Sequence, residues 1–550
     1  MLLNTPIYGE LCCIWGIFLV SLIMQTNNTK ADQTSEISTL KNRIKELEIL
    51  VKYYEEQMIL SRKKRFGSSS EQSCYDQIFF DIFNEPEVIA DVSAEKAEPT
   101  VIKEHIRRKR QFIEKFPDDV PVTEIVIELN EDERVCPDCG ESMAEIGHEE
   151  ARREYVLIPA KVELRKYVTC TYACRCCEKD NIHVPMKKSS APPAVIAGSN
   201  ASAEAIAYIA AQKYTMGVPL YRQEQDWARQ GVLLPRQTMA NCLIRCSNDW
   251  LLPIWMELKK RMLRGDILHA DETTIQVLKE PGKRPQSKSY MWEYRTGEFT
   301  TEHIVLFEYK PNRKTINPEA FLSGWSGYLH TDGYDSYHKL HDNVISVGCW
   351  GHSRRRFDEA LKVIRPDARE GSDALIGKMY CDDLFRIERK ISELPPDKRY
   401  KERVKTSKPL MDKFFEWLRT VRARPKSRLG DAVSYSLSQE KYLRNVLRDG
   451  RLSLSNNVAE RTIKSFVILR KNFLFADTPN GAMASAIIFS LIETAKAEGL
   501  NPYDYLLYVF QKAPALDMAD NESVRTLLPS AFKAFLPQRS LQRPDMSIPG

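Results

Sequence analysis

The chain has 550 residues, too many for one hydrophobic core, so we expect several domains. A hydrophobic fraction of 43% and a charged fraction of 28% exclude a membrane protein and a disordered one. The net charge of +5 permits contact with nucleic acid without requiring it. Basic residues cluster at 62–65, 107–110 and 354–356, although such runs are more often solvated surface than DNA contacts.

An apolar run over residues 11–24 lies near the start of the chain. It is shorter than the about 20 residues of a membrane span, and it lacks the basic start and the cleavage site of a signal peptide. A short anchor, a buried helix and translation from an upstream start are the three interpretations. Because polar sequence follows Met24 and leads into a helix, we favour Met24 as the true start.

Residues 37–58 carry a heptad pattern. Hydrophobic residues step alternately by three and four positions: Ile37, Leu40, Ile44, Leu47, Val51, Tyr54 and Met58. A seam of about three heptads predicts a short coiled coil through which the chain self-associates. The alternative is an amphipathic helix that packs on its own protein. Gly67 and the serines after it end this helix, and a linker follows to about residue 120.

Two cysteine pairs with C-x-x-C spacing, Cys136 with Cys139 and Cys174 with Cys177, are separated by 34 residues. Each pair presents two thiolates on one turn, and two pairs complete a tetrahedron around Zn²⁺. We therefore predict a structural zinc module in a reduced, cytoplasmic protein. Four thiolates leave no open coordination position, so this zinc would serve folding or partner binding and not catalysis.

Residues 221–245 show two helical segments around a turn. Gly231 opens the turn, and Pro235 stands where the second helix begins. In a helix-turn-helix the first turn of the second helix contacts base edges. Here that turn holds Arg236, Gln237 and Thr238, which predicts DNA reading; plain helical bundles show the same pattern.

From residue 264 the pattern is that of strands. Five strand-like runs occur, with a short helix between the third and the fourth, at 266–278, 289–297, 302–310, 327–334 and 343–350. In this order the first and fourth strands are neighbours, so Asp271, at the end of the first, and Asp332, just past the fourth, should meet. Carboxylates at strand ends are placed to bind a cation.

A third carboxylate is needed, because two divalent cations that clamp a phosphate require several oxygen ligands. Glu460 begins a helix after a polar stretch, whereas Glu493 lies in a more apolar helical segment. The pattern favours Glu460 and leaves Glu493 as the alternative. Polar and basic residues around Glu460 are placed to hold DNA phosphates: Asn456, Asn457, Arg461 and Lys464.

Several segments together resemble the TnpC-type insertion-sequence transposases, the family called insertion sequence sixty-six. They are 63–72, 136–140, 172–177, 269–273, 330–337, 348–357, 456–464 and 470–506. The resemblance covers roughly residues 36–535. It implies a DDE transposase with an RNase H-like core, in which Asp271, Asp332 and Glu460 bind two Mg²⁺ or Mn²⁺ ions. It thereby favours Glu460 over Glu493.

Cys349 and His352 form a C-x-x-H pair after the fifth strand. It is similar to a signature found on that strand in several transposase groups, which implies a supporting role beside the active site. The alternative is a core cysteine and a helix-capping histidine. It is not a second zinc knuckle, because no partner pair lies nearby in the sequence.

The resemblance further implies cleavage at the ends of an insertion sequence, followed by attack of the freed 3′-hydroxyl on target DNA. The partners would be terminal inverted repeats, target DNA, a second subunit and small accessory proteins, at the bacterial nucleoid. A nuclease or resolvase without strand transfer and a non-catalytic DNA-binding regulator are the alternatives. The residues assigned to DNA are Arg236, Gln237, Thr238, Arg354, Arg355, Arg356, Asn457, Arg461, Lys464, Arg470 and Lys471.

The expected fold class is a multidomain α+β protein whose α/β core is interrupted by helices. Its segments are an apolar leader (1–30), a coiled-coil helix (31–66), a linker (67–121), the zinc module (122–186), a helix-turn-helix region (187–262), the first part of the core (263–365), a helical insertion (366–440), the second part of the core (441–500) and a helical tail (501–550).

Overall fold

A computed structural model describes residues 41–60 (without 42 and 45), 160–173 and 186–539. The chain divides into two units, residues 1–66 with 161–550 and residues 67–160, and the second lies almost wholly outside the described ranges. The predicted leader, the linker and all four zinc cysteines, Cys136, Cys139, Cys174 and Cys177, also lie outside them. Among the described helices, none has both the length and the hydrophobicity to span a bilayer.

The described part of the chain contains both strands and helices: two short strands and several helices precede the main sheet, and further helices follow it. The strands are β1 (Thr171–Ala173), β2 (Met186–Lys188), β3 (Ile267–Gln276), β4 (Lys288–Thr296), β5 (Val305–Lys310), β6 (Gly327–Thr331) and β7 (Val344–Gly348). The helices before and within the sheet are α1 (Ala203–Tyr214), α2 (Leu220–Arg229), α3 (Arg236–Cys246), α4 (Leu252–Met262), α5 (Ile316–Phe321) and α6 (Asp335–His338).

The remaining helices follow the sheet. They are α7 (Trp350–Lys362), α8 (Asp373–Ile391), α9 (Pro396–Glu402), α10 (Lys408–Thr420), α11 (Arg428–Ser438), α12 (Glu440–Leu443), α13 (Asn457–Phe473), α14 (Pro479–Ala497), α15 (Pro502–Lys512), α16 (Asn521–Arg525) and α17 (Pro529–Arg539). Short connections are π-helical at Ser247–Leu251 and Arg403–Ser407, and 3₁₀-helical at Pro366–Ala368, Arg444–Arg448 and Ala513–Ala515. We call α7 to α12 with Arg444–Arg448 the helical region.

The five predicted strand runs form one sheet in the order β5-β4-β3-β6-β7. Strand β4 runs antiparallel to both of its neighbours, β3 and β5, whereas β3, β6 and β7 run parallel to one another. The expectation that the first and fourth strands are neighbours is thus confirmed. In the register, Asp271 lies opposite Glu293 and His269 lies beside His330.

Helices α13 and α14 cover the face of the sheet that carries Asp271, because its cross-strand neighbours in that row are Glu293 and Phe307. Phe307 packs against Phe466 of α13 and Phe489 of α14, with ring centroids 6.1 and 4.8 Å away. Each of these rings is buried, and full burial of such a side chain contributes about 2 kcal/mol. This aromatic contact holds α13 over β3 and β4.

The helical region has a hydrophobic core of its own. Trp350 and Phe357 of α7 pack with Phe414 and Phe415 of α10, and all four are fully buried. Residues 366–440, the range of the predicted helical insertion, hold the helices α8 to α11, and their core extends back to α7. The predicted C-terminal tail is helical to residue 539, and its Phe532 is buried in the main core.

The described residues of 41–60 are helical, as the heptad pattern predicts. One side of this helix contacts the helical region: the Arg424 guanidinium lies 4.1 Å from the Tyr53 ring, and the Arg428 amide donates to Glu56 Oε1 at 2.9 Å. The predicted seam faces away from these contacts. Four of its described members are exposed, Ile44 by 39%, Val51 by 45%, Tyr54 by 61% and Met58 by 51%, and Leu47 is half-buried.

Candidate active site

Asp271 lies within β3, not at the end of a strand. The strand continues to Gln276 because it pairs with β4 throughout, but its pairing with β6 stops at His269. Asp271 therefore lies just beyond the parallel half of the sheet. Its Oδ1 accepts the backbone N–H of Glu272 at 2.8 Å.

Asp332 follows the last residue of β6, as expected. Its Oδ1 accepts the backbone N–H of Tyr334 at 2.9 Å, which closes a tight turn. The turn needs Gly333, whose φ is +93°, and a Cβ there would lie 3.0 Å from the Gln439 amide oxygen. The Tyr435 hydroxyl donates to the Asp332 carbonyl at 2.9 Å, so the helical region holds this turn from outside the sheet.

Glu460 lies in the first turn of α13, and its carboxylate faces the start of α7. Arg355 Nη2 donates to its Oε2 at 2.9 Å. His352 Nδ1 lies 3.4 Å and Cys349 Sγ 3.7 Å from its Oε1. The C-x-x-H pair is therefore in direct contact with the predicted third carboxylate.

Asn456 fixes the start of α13 against the sheet. Its Oδ1 lies 2.9 Å from His269 Nδ1, its Nδ2 donates to the Ala270 carbonyl at 2.9 Å, and its backbone N–H donates to Cys349 Sγ at 3.2 Å. The side chain is fully buried. The expectation that Asn456 holds a DNA phosphate is therefore wrong, because all its polar atoms are used inside the protein.

The three carboxylates act on one another electrostatically. The pKa of Asp271 is raised well above its ordinary value, and the largest cause is burial of the carboxylate. The negative charges of Asp332, Glu272 and Glu460 raise that pKa further. The fold thus brings together acids that are up to 189 positions apart in the sequence (460 minus 271), and their charges repel one another.

Glu493 is the alternative third acid. It forms an ion pair with Lys496 at 2.8 Å on α14, and its charge raises the pKa of Glu293.

Glu293 is a buried acid that the sequence analysis did not single out. It is fully buried opposite Asp271, and neither carboxyl oxygen has a hydrogen bond among the described residues. Nearby Thr462 accepts from Arg295 at 2.7 Å and donates its hydroxyl proton to the Val458 carbonyl. Burial first, and then the charge of Asp271, raises the pKa of Glu293 well above its ordinary value. The available signal was an acid between two large aromatic residues, Trp292 and Tyr294, within a strand-like run.

The opposite face of β3 carries a second polar group. Glu272 accepts from Arg313 Nε at 2.7 Å and from the Tyr337 hydroxyl at 2.5 Å. The Arg313 guanidinium lies 3.5 Å from the Tyr334 ring. Burial, foremost, and then Asp332 raise the pKa of Glu272. These contacts brace the Asp332 turn from the other side.

The three consecutive arginines of α7 point to different partners. Arg354 pairs with Asp382 at 2.5 Å, Arg355 reaches Glu460, and Arg356 lies 4.2 Å from the Tyr435 ring. On α13, Arg470 donates to Thr274 Oγ1 at 3.0 Å and so contacts β3. Arg461 and Lys471 are exposed, and Asn457 and Lys464 are half-buried.

The two helical segments predicted around Gly231 correspond to the helices α2 and α3. Helix α3 begins at Arg236, directly after Pro235. The backbone N–H of Arg236 donates to Glu224 Oε1 of α2 at 2.9 Å. Arg236, Gln237 and Thr238 are exposed in its first turn.

Family models match most of the chain. The model described as transposase IS66 family matches residues 198–484, and the IS66 C-terminal element matches 490–530. The zinc-finger binding domain of transposase IS66 matches 133–178, the range that holds the four predicted zinc cysteines. A model described as transposase C of IS166 homeodomain matches 53–125.

Two relatives come from Sinorhizobium fredii (strain NBRC 101917 / NGR234). Uncharacterized protein y4qI is 30% identical over 338 residues, 58% of this chain and 60% of that protein. Uncharacterized protein y4jD is 27% identical over 461 residues, 80% of this chain and 87% of that protein. The chain therefore spans less than two thirds of the first relative.

Among solved structures, the Drosophila P element transposase strand transfer complex aligns with a TM-score of 0.25 and 13% identity, over 58% of this chain and 93% of that one. A likeness this weak bears on neither fold nor function.

Proposed function

This chain belongs to the transposase IS66 family, and we propose that it is a DDE transposase that cleaves the ends of an insertion sequence and joins them to target DNA. The observation that carries the proposal is the placement of three acids: Asp271 on β3, Asp332 directly after its parallel neighbour β6, and Glu460 in the first turn of α13, which packs against β3. Like-charged acids that perturb one another's ionisation, as the negative charges of Asp332 and Glu460 do at Asp271, are typical of functional sites.

We propose further that the core is RNase H-like. The support is the sheet itself: three antiparallel strands are followed by two parallel ones, in the order β5-β4-β3-β6-β7. The first carboxylate lies on the central strand β3, and the second follows its parallel neighbour β6.

The donor set fits two hard divalent cations such as Mg²⁺ or Mn²⁺. Carboxylate oxygens are the ligands these ions prefer, and cations would relieve the repulsion at Asp271. Asp271, Asp332 and Glu460 would hold them. When bound, such ions activate the attacking oxygen and stabilise the leaving 3′ oxygen of a phosphodiester.

The protein's own residues set the geometry for this chemistry. The rigid strand β3 orients Asp271, and the Tyr334 amide fixes the Asp332 carboxylate. Asn456 holds the start of α13 and thereby Glu460. Arg355 neutralises Glu460 and stands beside it, which suits its guanidinium to contact a DNA phosphate.

DNA recognition is assigned to the first turn of α3 and to the zinc-finger domain. The exposed positions of Arg236, Gln237 and Thr238 support base contacts. Backbone phosphates would be held by Arg354, Arg355, Arg356, Asn457, Arg461, Lys464, Arg470 and Lys471. The exposed seam of residues 41–60 supports pairing of two subunits, which would hold both DNA ends together. The complex would act at the nucleoid, with or without small accessory proteins.

The test is cleavage and joining of DNA that carries the repeats flanking the gene. We expect Asp271→Asn and Asp332→Asn to abolish Mg²⁺-dependent cleavage while DNA binding persists, because each removes a charged ligand. Asp335→Asn is the matched control, because Asp335 is exposed and pairs with Lys339, four residues later, instead of with the three acids. Undiminished cleavage by the first two variants would refute the proposal.

The same assay separates the alternatives. Cleavage without joining would identify a nuclease or resolvase. DNA binding without any cleavage by the unaltered protein would identify a regulator.

A further inference from the structure

A second group of potential metal ligands adjoins the carboxylates. The Cys349 thiol, the His352 imidazole and the Glu460 carboxylate place one ligand atom each within 4.8 Å of the other two. Cys349 is fully buried, and the side chains of His352 and Glu460 are only 15% and 10% exposed. A cysteine, a histidine and a carboxylate so close together form a donor set of mixed chemistry.

Two helix starts create this group. Cys349 caps α7, His352 lies in the first turn of α7, and Glu460 lies in the first turn of α13. The space between them is tight: a Cβ on Gly351 would lie 3.3 Å from Cys349 Sγ. Both helix N-termini stabilise negative charge, as on a thiolate or a carboxylate.

His352 contains a buried polar atom that lacks a hydrogen bond. Its Nδ1 is buried and has no hydrogen bond among the described residues, although Glu460 Oε1 lies 3.4 Å away. A buried nitrogen without a hydrogen bond destabilises the folded protein. A metal ion would use its lone pair.

We propose that Cys349, His352 and Glu460 form a site for a thiophilic divalent metal, Zn²⁺ or an ion of similar preference. A thiolate and an imidazole select Zn²⁺ and related transition metals over Mg²⁺. Three protein ligands leave one coordination position open, unlike the closed four-cysteine module. The ligand that the C-x-x-H pair lacks in its own sequence neighbourhood comes from Glu460, 108 positions after His352 (460 minus 352).

Metal binding here requires loss of the thiol proton. A thiophilic metal replaces the proton of the fully buried Cys349 thiol, and that proton leaves to solvent. The backbone N–H of Asn456 already donates to this sulfur at 3.2 Å and would stabilise the thiolate.

The site shares Glu460 with the proposed Mg²⁺ ligands, and this step of the inference rests on the proposed function. Zn²⁺ held by Cys349 and His352 would engage Glu460, and cleavage would stop while it stays bound. The transposase would then be inhibited by Zn²⁺ through Cys349, independently of its zinc-finger domain.

The test is Co²⁺ binding to the full chain after removal of metals with a chelator. Cobalt reports thiolate ligands by its near-ultraviolet and visible absorption. Cys349→Ser and His352→Gln should each bind one Co²⁺ equivalent fewer than the unaltered protein. Cys381→Ser, at another fully buried cysteine of the helical region, should bind as many. The zinc-finger cysteines are present in every variant, so their contribution cancels.

Equal stoichiometry in the unaltered protein, Cys349→Ser and His352→Gln would overturn the site. Two variants, each altered at a different ligand, keep the test valid if one variant misfolds. Circular dichroism would detect the misfolding. The binding measurement uses no DNA, so a chain that binds this metal but never cleaves keeps the site and loses the proposed function.

Inhibition is measured separately, with each variant normalised to its own rate without Zn²⁺. We expect the Zn²⁺ concentration for half-inhibition to rise by more than about tenfold in Cys349→Ser. An unchanged concentration would overturn the inhibitory role.

Discussion

The five-stranded sheet and the helical region contribute to the active site in different ways. In the sheet, backbone pairing places the acids: Asp271 follows the last pair between β3 and β6, and Asp332 follows the end of β6. In the helical region, single side chains matter, since Arg355 and His352 reach Glu460 across the gap to α13. Positions set by a strand register depend little on any one neighbour, whereas the surroundings of Glu460 depend on individual contacts.

The largest expected effect tests whether α13 supplies the third acid. Loss of a residue that only hydrogen-bonds to a metal ligand lowers activity by about 10- to 100-fold. Because Glu460 would be a ligand itself, Glu460→Gln should lower Mg²⁺-dependent cleavage by more than that. Glu493→Gln, which alters the rival acid on α14, should have a much smaller effect, because Glu493 pairs with Lys496. The measurement is the cleavage rate on terminal-repeat DNA. A greater loss in Glu493→Gln would reverse the assignment.

The second effect tests the joint between the two regions. Asn456→Ala should reduce the free energy of unfolding by about 2–3 kcal/mol, because it leaves the Ala270 carbonyl and the His269 imidazole without their partner. Denaturant titration measures it. Its neighbour Asn457, which is half-buried and assigned to DNA, provides the matched change Asn457→Ala. If both substitutions cost the same stability, Asn456 is not the anchor of α13.

The third effect lies within the sheet and accumulates with pH. The pKa of Glu293 is raised by burial, so above pH 4.5 the folded protein retains a proton that the unfolded chain releases. The unaltered protein therefore loses stability as the pH rises toward the folded pKa. Glu293→Gln cannot ionise, and its stability relative to the unaltered protein should increase by up to about 1.4 kcal/mol per pH unit in that window.

Thermal unfolding between pH 4 and pH 8, without divalent metal, measures this dependence. Glu298→Gln, at an exposed residue after the same strand, is the control. A stability difference that stays flat from pH 4 to pH 8 would show that Glu293 ionises in the folded state as it does in the unfolded chain.

Much of the sheet and of the helix order could be predicted because both follow from local patterns. Alternating and β-branched runs predicted all five strands, and the short helix before β6 explained why β3 and β6 are neighbours. Gly231 and Pro235 marked the turn and the start of α3. The sequence by itself thus determined that Asp271 and Asp332 would come together, since adjacent strands bring their residues together whatever packs around them.

Tertiary packing decided the rest. The strand pattern contained nothing to show that Asn456 is buried or that Glu460 meets the C-x-x-H pair. These contacts join segments up to 187 positions apart (456 minus 269). They depend on how α13 lies across β3 and against α7, and that placement comes from the aromatic core around Phe307 and from side-chain hydrogen bonds, which have no periodic signature in the sequence.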